Sequence, residues 1–278
     1  MLNNNRREIC LSISSKPGSF GEIVHNAGYN YQGLHFFYKA IKVIDLKNTV
    51  ESIKLLQIKG CSVSMPFKEK IISHIDILDE DAQKAGAVNT ILNDKNVLKG
   101  FNTDIFGAGK ALEVINVNQK ENVLVLGAGG VARAIIIALQ KMNIFDIFIT
   151  NRNVSKAETL SKLFNCKVVN WQERNNFKSS ILINSTPVGM KGNNFLAPID
   201  IKSLKNFDKI MDVVVNENGT NLIKAAKNLN IPHVTGLYMT FFQAARQYKI
   251  YTGFDAPISH MIEAYNTHFN QRVVLDLD

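Results

Sequence analysis

Three polar side chains in the first part of the chain stand at the ends of predicted strands: Lys68, Asn89 and Asp104. Lys68 follows a short strand that Pro66 ends, because proline cannot donate a hydrogen bond to a β-ladder. In an open α/β sheet, ligands bind where strands end. Lys68, Asn89 and Asp104 are therefore candidates for one ligand-binding site.

A second candidate site is a glycine-rich turn between an apolar strand and an apolar helix. The sequence VLVL at 123–126 precedes the turn, which fits the dinucleotide-binding pattern G-x-G-x-x-G/A. Gly127 permits the tight turn, Gly129 lets the backbone approach a pyrophosphate, and Ala132 keeps the helix close to the strand. The predicted cofactor-binding residues of the turn are Gly127, Ala128, Gly129, Gly130, Val131 and Ala132.

The strand after this turn decides between the two nicotinamide cofactors. NAD enzymes place Asp or Glu at its end to bind the ribose 2′-hydroxyl. A carboxylate would repel a 2′-phosphate, whereas an arginine binds it through two parallel hydrogen bonds. The sequence therefore predicts NADP rather than NAD, and a solvated loop charge is the less favoured interpretation of Arg152. The predicted binding residues at this strand end are Asn151, Arg152, Asn153 and Lys156.

Composition narrows the class of partner. The chain has 278 residues, 46% of them hydrophobic and 20% charged, with a formal net charge of +8. Its basic residues are scattered and form no stripe interleaved with aromatic side chains, which argues against nucleic acid. The positive balance favours a small anionic substrate or cofactor. No apolar stretch approaches the roughly 18 residues of a membrane span, so no membrane association is predicted.

The spacing of cysteines and histidines predicts a protein of a reducing compartment that has no metal site. Three widely spaced cysteines support neither a disulfide framework nor a zinc site. The six histidines show no metal-ligand spacing. Since the N-terminus also lacks an apolar secretory segment, a cytoplasmic location is predicted. Trp171 is expected in the core rather than against a cofactor.

Short β-branched runs alternate with amphipathic stretches, which predicts an α/β fold with mostly parallel strands. A second alternation starts at Asn122 with the layout of a dinucleotide-binding domain, and the pattern from Tyr238 is helical. We expect domain boundaries near residues 105 and 236. The predicted strands are 8–14, 34–40, 61–65, 88–92, 97–101, 122–126, 145–150, 167–170, 180–184, 209–215 and 232–235. The predicted helices are 20–27, 46–58 with Asp45 as its cap, 105–117, 131–142, 154–164, 220–229 and two after 238.

The strand-end segments, taken in order and followed by GAGGVA, resemble the shikimate dehydrogenase family. Its patterns close to VPFK, GAVNT and NTD match SMPFK, GAVNT and NTD at 64–68, 86–90 and 102–104. Further matches are the NR pair with a following lysine, NSTPVGM at 184–190, and the segment from Gly236 through Gln243. The similarity spans nearly the whole chain, and the combined order is highly specific.

The resemblance implies a fold and a reaction. It implies an N-terminal α/β substrate domain, residues 1–105, to which C-terminal helices in 237–278 return. It also implies a Rossmann-type NADP domain, residues 106–236, with the active residues in the cleft between the domains. The implied reaction is the NADP-linked interconversion of 3-dehydroshikimate and shikimate, on the chorismate route to the aromatic amino acids.

The resemblance also implies roles for single residues. Lys68 and Asp104 match the catalytic pair that flanks the substrate hydroxyl. A lysine exchanges that proton only if burial lowers its pKa, and a neighbouring carboxylate opposes this shift, so which of the two transfers the proton stays open. The residues at matching substrate positions are Ser19, Ser64, Asn89 and Gln243, and those at further cofactor positions are Gly236 and Met239.

One departure from the family pattern affects the substrate carboxylate. The family's Ser-x-Ser-Pro, which precedes a His-Asn pair, is SFGE at 19–22 in this chain. The second serine is therefore Gly21. Losing one hydrogen bond to a charged group costs about 1.5–3 kcal/mol. Ser12, Ser14 or Ser15 could replace the lost hydroxyl after a local shift.

Two further departures concern Val215, which stands where the family has the tyrosine of a D-x-x-Y segment, and Ser64, which replaces a threonine and keeps its hydroxyl. Together they indicate a divergent, shikimate dehydrogenase-like member with an intact cofactor half. The expected substrate is shikimate, weakly turned over, or a related hydroxy-cyclohexane acid such as quinate or aminoshikimate. The alternative is a catalytically weak NADP-binding regulatory protein. The sequence is compatible with either a monomer or a homodimer.

Overall fold

The computed structural model describes residues 7–190, 196–216 and 218–271. Contacts among these residues divide the chain into two compact units, with divisions after Thr103 and after Phe242. We call the unit that contains both ends of the described chain the terminal unit, and the other the middle unit. Each unit is α/β, which confirms the predicted fold class. Within the described ranges, no helix combines the length and apolar character that a bilayer crossing requires.

Strands and helices alternate through both units. The strands are β1 (Glu8–Ser14), β2 (Phe36–Lys42), β3 (Gly60–Val63), β4 (Ile77–Leu78), β5 (Thr90–Asp94), β6 (Val97–Phe101), β7 (Val123–Leu126), β8 (Ile147–Thr150), β9 (Lys167–Val168), β10 (Ile181–Asn184), β11 (Lys209–Asp212) and β12 (His233–Thr235). The helices are α1 (Phe20–Tyr31), α2 (Leu46–Leu55), α3 (Glu80–Ala85), α4 (Thr103–Val114), α5 (Gly130–Lys141), α6 (Val154–Phe164), α7 (Asn221–Asn228), α8 (Gly236–Thr252) and α9 (Ile258–Phe269).

The terminal unit has a six-stranded sheet in the order β2-β1-β3-β5-β6-β4. Its strands are parallel except that β5 runs antiparallel to both β3 and β6. The two-residue connection from β5 to β6 explains the hairpin, because Lys95 and Asn96 both have positive φ, at 52° and 71°. One face of the sheet packs against the helices through an apolar cluster that includes Ile13, Ile53 and Leu98.

A second cluster in the terminal unit is aromatic. Tyr29, Tyr38, Tyr248 and Tyr251 are buried around the Cys10 side chain. The His25 ring, fully buried, stacks on Tyr38 with centroids 4.5 Å apart and planes 5° from parallel. These rings fix α1 and the second half of α8 onto β1 and β2.

The middle unit has a fully parallel sheet in the order β12-β11-β10-β7-β8-β9. This is the strand order of a doubly wound dinucleotide-binding fold, in which the order reverses between β7 and β10. All four residues of β7 are fully buried, as expected of a central parallel strand with both faces covered. Ligands bind at the carboxyl edge of such a sheet, next to the reversal.

Several helix ends differ from the prediction by one to four residues, and those of α1 and α2 have identifiable causes. α1 continues through Gly28 to Tyr31. A Cβ on Gly28 would lie 2.8 Å from the Tyr248 ring. This glycine therefore serves close packing and does not end the helix. α2 ends at Leu55 rather than Ile58, because Gln57 adopts a left-handed conformation with φ 53°.

Candidate functional site

The glycine turn lies between β7 and α5 in the middle unit. Gly127 has φ 110°, and a Cβ there would lie 2.6 Å from the Ser185 hydroxyl, so a side chain is excluded on both counts. A Cβ on Gly129 or Gly130 would meet no atom within 4 Å. The first amide groups of α5 are therefore accessible to a bound anion. Ala132 is fully buried in α5, which agrees with a role in close helix–strand packing.

A cavity of about 710 Å³ opens beside this turn in the middle unit. It is bounded by the segments that follow β7, β8 and β10 at the carboxyl edge of the sheet. The predicted cofactor residues that line it are Gly127, Ala128, Gly129, Asn151, Arg152, Asn153 and Lys156. Gly130, Val131, Ala132, Gly236 and Met239 lie outside this lining.

The asparagines after β8 shape the loop that carries the predicted phosphate ligands. Asn151 donates from Nδ2 to the Asn153 carbonyl at 2.9 Å. The Asn153 side chain caps α6 by accepting from the Lys156 amide. Arg152 is exposed in this loop, and Lys156 is exposed in the first turn of α6. Two cations therefore lie beside the cavity, and the asparagines hold the main chain that carries them.

The electrostatic character of the cavity is cationic. Among the described residues that line it, the charged ones are Arg152, Lys156 and Arg174, and none is a carboxylate. A ribose-binding Asp or Glu, as an NAD site would have, is thus missing from the lining. The arrangement suits a ligand with several negative charges, such as a dinucleotide that carries an additional phosphate.

Trp171 and Arg174 were missed as site residues by the sequence analysis. The expectation that Trp171 lies in the core is wrong, because its side chain is half-buried and lines the cavity. The Arg174 guanidinium carbon lies 4.0 Å from the centroid of the Trp171 ring. A usable signal was their place directly after β9, since β9 is the neighbour of β8 in the sheet.

The loop after β10 forms another wall of the cavity through Ser185, Thr186, Pro187 and Val188. Asn184 organises this loop, because its Oδ1 accepts from the Thr186 amide at 3.0 Å and from the Thr186 hydroxyl. The Ser185 hydroxyl donates to the Leu126 carbonyl at 2.7 Å. The NSTPVGM segment thus builds the cavity wall and does not stand apart from it.

A buried polar network lies in the terminal unit. Asn89 Oδ1 accepts from the Thr90 hydroxyl at 2.8 Å and from the Thr103 amide at 2.8 Å. Its Nδ2 donates to Gln243 Oε1 at 3.4 Å. The structure thus brings together two of the predicted substrate residues, Asn89 and Gln243, with the Asn89 amide held in one orientation.

Gln247 is the member of this network that the sequence analysis missed. It is almost fully buried, and its Nε2 donates to the Thr90 hydroxyl at 2.9 Å and to the Ser62 hydroxyl at 3.2 Å. The signal was its position four residues after Gln243, which places both amides on one face of α8.

The predicted catalytic residues occupy ordinary positions of their elements. Lys68 is half-buried in the turn after β3, which follows a cis Met65–Pro66 peptide. Asp104 is 9% exposed in the first turn of α4, where a carboxylate is favoured by the helix dipole. Lys68 belongs to the terminal unit and Asp104 to the middle unit.

The remaining predicted residues differ in burial. Ser64 is half-buried directly after β3, and its amide donates to the Ile13 carbonyl at 2.9 Å. Ser19 is exposed at the N-cap position of α1 and makes no capping bond with its side chain. Gly236 starts α8, where a Cβ would collide with the Val213 carbonyl. Met239 is 7% exposed in the first turn of the same helix.

Comparison with known proteins identifies the family. The shikimate dehydrogenase substrate binding domain matches residues 18–91, the shikimate / quinate 5-dehydrogenase domain matches 107–187, and the shikimate 5′-dehydrogenase C-terminal domain matches 236–264. A "Shikimate dehydrogenase-like protein" of Haemophilus influenzae is 33% identical over 90% of this chain and 92% of its own length. The chain belongs to the shikimate dehydrogenase family.

Other members of the shikimate dehydrogenase family show the same extent of similarity. A "Shikimate dehydrogenase (NADP(+))" of Methanocaldococcus jannaschii is 37% identical over 95% of this chain and 98% of its own length. A crystal structure of a shikimate dehydrogenase in complex with NADP+ superposes with a TM-score of 0.86 at 35% identity. It covers 96% of this chain and 97% of the compared chain.

The departures from the shikimate dehydrogenase pattern have clear structural settings. A Cβ on Gly21 would lie 3.1 Å from both the Tyr38 hydroxyl and ring, so Tyr38 fills the space beside it. Glu22 is not an unpaired anion, because its carboxylate binds Lys39 Nζ at 2.8 Å and accepts from the Ala40 amide. The Lys39 ammonium accordingly holds the pKa of Glu22 below its ordinary value.

The serines that could replace the lost hydroxyl differ in burial, and the position of the family's tyrosine is exposed. Ser12 is half-buried and Ser14 is buried in β1, whereas Ser15 is exposed directly after the strand. Val215 is 42% exposed. The position at which the family has a tyrosine therefore lies on an accessible surface and not in the core.

Proposed function

We propose that the chain is an NADP-dependent oxidoreductase that interconverts 3-dehydroshikimate and shikimate, or a closely related hydroxy-cyclohexene or cyclohexane carboxylic acid. The observation that carries the proposal is the cationic cavity beside the glycine turn, whose lining within the described part of the chain includes Arg152, Lys156 and Arg174 and no carboxylate. Shikimate dehydrogenases that share more than a third of this sequence are named as NADP enzymes.

The residues of the middle unit fit NADP. Gly127 makes a turn that no other residue can make at φ 110°, and the uncovered amides at the start of α5 suit a pyrophosphate. Arg152 and Lys156 suit the 2′-phosphate. When bound, NADP accepts or supplies a hydride at its nicotinamide ring. We assign cofactor binding to residues 106–236 and substrate binding to residues 1–105 with 237–278.

Lys68 and Asp104 are the proposed catalytic pair. In the proposed roles, one of them removes the proton from the substrate hydroxyl while the other holds the hydroxyl or the ammonium in place. Asn89 and Gln243 are proposed to bind the other hydroxyl groups of the ring. The network around Asn89 supports this role, since Thr90 and Thr103 occupy its Oδ1 and so fix its orientation.

The carboxylate end of the substrate site is the part that departs from the family. Ser19 and Ser64 keep hydroxyl groups, while Gly21 offers none. Losing one hydrogen bond to a charged group lowers affinity about tenfold to a hundredfold. We therefore expect weak turnover of shikimate itself, or a preference for quinate or aminoshikimate.

The test is a panel assay of shikimate, quinate and aminated analogues with NADP and with NAD, following the absorbance of the reduced cofactor. Turnover of one of these acids with NADP supports the proposal. Turnover that requires NAD, or oxidation of an unrelated alcohol alone, contradicts it. A second candidate function, a catalytically weak NADP-binding regulatory protein, is favoured if NADP binds tightly and none of these substrates turns over. The missing hydroxyl at Gly21 is the observation that supports this candidate.

A cytoplasmic location and a monomer or homodimer complete the proposal. The location is supported by Cys10, Cys61 and Cys166, which are all buried and unpaired, as expected in a reducing compartment. Size-exclusion chromatography with light scattering distinguishes the two assembly states.

A further inference from the structure

A tryptophan and an arginine form one wall of the nucleotide cavity. Trp171, the single tryptophan of the chain, opens a short 3₁₀ turn that Asn170 caps by accepting from the Gln172 amide. Arg174 follows this turn and stacks over the indole ring at 4.0 Å. A guanidinium at this distance from an indole face is attracted by the ring quadrupole.

The Arg174 guanidinium is held in place by main-chain groups. Its Nε donates to the Pro198 carbonyl at 3.0 Å, and one terminal nitrogen donates to the Trp171 carbonyl at 2.7 Å. These bonds use two of its five N–H donors. Partial burial lowers the pKa of Arg174, yet an arginine stays charged in proteins. A cation is thus presented to the cavity with donors to spare and neutral partners only.

The charge of Arg174 adds to a site that already has two cations. The ion pairs within the described ranges do not include Arg152, Lys156 or Arg174. Partly burying a cation costs free energy unless an anion compensates it. Since none of the described lining residues is a carboxylate, an anionic ligand would supply the compensating charge.

The order of the sheet tells which part of the ligand reaches this wall. The glycine turn follows β7, the Arg152 loop follows β8, and Trp171 and Arg174 follow β9, and these strands are successive neighbours. A dinucleotide with its pyrophosphate at the glycine turn therefore extends past Arg152 toward Trp171. The part that lies farthest from the pyrophosphate in this direction is the 2′-phosphorylated adenosine.

We propose that Trp171 and Arg174 form a subsite for the adenosine 2′-phosphate of the cofactor. In this subsite Arg174 donates to the phosphate, and Trp171 is the positioning residue whose indole ring holds the guanidinium in place. This assignment rests on the proposed use of NADP. A planar guanidinium that keeps three of its five N–H donors can bind a phosphate through two parallel hydrogen bonds. Selection of NADP over NAD then depends on three cations, Arg152 and Lys156 after β8 and Arg174 after β9.

The test uses adenosine 2′,5′-bisphosphate and adenosine 5′-monophosphate, titrated into the full chain by calorimetry and by the fluorescence of Trp171. Arg174→Met is expected to weaken the bisphosphate about tenfold to a hundredfold and the monophosphate by no more than about twofold. Arg174→Lys, which keeps the charge but loses the fork, is expected to fall between wild type and Arg174→Met.

Further variants test whether Trp171 acts by positioning Arg174 or only by supporting the fold. Lys167→Met removes another cation that lies over a ring, 4.9 Å from the Phe148 centroid, but stands outside the cavity, so binding is expected to be unchanged. Trp171→Phe keeps an aromatic face and is expected to retain bisphosphate affinity within about threefold. Trp171→Leu removes the face and is expected to weaken the bisphosphate as Arg174→Met does, with calorimetry as the readout.

The proposal is overturned if Arg174→Met binds the bisphosphate as tightly as wild type, or if it weakens both nucleotides equally. Circular dichroism checks that each variant is folded, and Arg174→Lys serves as the deciding variant if Arg174→Met is not. Failure of the proposed function has a different signature. In that case no acid of the panel is turned over, while the bisphosphate still binds and Arg174→Met still weakens it.

Discussion

The Thr220 hydroxyl donates a hydrogen bond of 2.6 Å to Oδ2 of Asp212, and both side chains are buried. The other carboxylate oxygen accepts from Asn184 Nδ2 at 2.9 Å and from the Val214 amide at 3.1 Å. One carboxylate thereby ties the ends of β10 and β11 to the start of α7. Because Asn184 also holds the cavity wall after β10, the shape of the nucleotide cavity depends on Asp212.

Asp212 is predicted to make the middle unit less stable as the pH rises. Burial raises its pKa from 3.8 to about 6, against the three hydrogen bonds that favour the charged form. The folded state therefore binds this proton more tightly, so the stability it contributes is present below pH 3.8 and is lost as the pH rises through about 6. The difference corresponds to roughly 3 kcal/mol in the free energy of unfolding.

Urea unfolding followed by Trp171 fluorescence measures this dependence, because Trp171 lies in the same unit. Asp212→Asn is expected to lower the free energy of unfolding throughout by about 1–3 kcal/mol, since an amide cannot accept from all three donors. It is also expected to abolish the slope between pH 4 and 6, a window set by the two pKa values of Asp212. A slope that survives in Asp212→Asn would assign the effect to another group.

His25 is predicted to make the terminal unit less stable as the pH falls, which is the opposite of the effect of Asp212. Burial lowers its pKa from 6.5 to about 3, so the folded state disfavours the charged ring. Its contribution is present above pH 6.5 and is lost as the pH falls toward 3, by up to roughly 5 kcal/mol. Acid unfolding followed by the near-ultraviolet circular dichroism of the tyrosines measures it. His25→Phe, which retains a ring next to Tyr38, is expected to resist acid better than wild type.

Lys68→Ala is expected to reduce turnover of the best substrate by about 10²- to 10⁴-fold, which is the usual contribution of a proton-transferring side chain. NADP affinity, read from Trp171 fluorescence, is expected to stay within about twofold, because Lys68 is not among the residues of the nucleotide cavity. Lys70→Ala is a suitable control, as an exposed lysine two positions further on. Undiminished turnover in Lys68→Ala would refute its catalytic role.

Arg152→Ala is expected to weaken NADP about tenfold to a hundredfold and to leave NAD nearly unchanged. The physical reason is that an arginine proposed to bind the 2′-phosphate gains a charged partner in NADP that a free 2′-hydroxyl does not supply. Isothermal titration of both cofactors makes the comparison directly. Equal weakening of NADP and NAD would mean that Arg152 supports the loop and not the phosphate.

Gly21→Ser tests whether the lost hydroxyl limits shikimate binding. A restored hydroxyl is expected to lower KM for shikimate up to about tenfold, provided that the Tyr38 ring shifts by a few tenths of an ångström to admit the new Cβ. Gly21→Ala is the matched control, because it introduces the same crowding without a hydroxyl. If both variants change KM alike, the effect comes from Tyr38 and the hydroxyl is irrelevant.

The sequence predicted the elements of the middle unit well, because buried parallel strands and amphipathic helices leave strong periodic signals. Helix α6 of the middle unit was predicted with its observed bounds, and so was strand β6 of the terminal unit. The six-residue helix α3 was missed, since Glu80–Ala85 is too short to show an apolar period and depends on the Asp79 cap. Strand β4 has two residues and gives no pattern at all.

Site residues could be predicted from the sequence where the backbone conformation allows only one residue type. Gly127 belongs to this class, because its left-handed φ and the neighbouring Ser185 exclude any side chain. Trp171 and Gln247 do not belong to it. A single aromatic residue in a loop and a single amide in a helix are compatible with many surroundings, and only the paths of β9 and α8 bring them to their sites.

The three thiols of the chain have a use that follows from their burial. Cys10 and Cys61 lie in the terminal unit and Cys166 in the middle unit, and burial raises the pKa of Cys10 to about 12 and that of Cys166 to about 11. Alkylating reagents attack the thiolate, so each sulfur stays silent until its own surroundings open. Labelling kinetics in the unaltered chain therefore report the transient opening of each half separately, without an introduced probe.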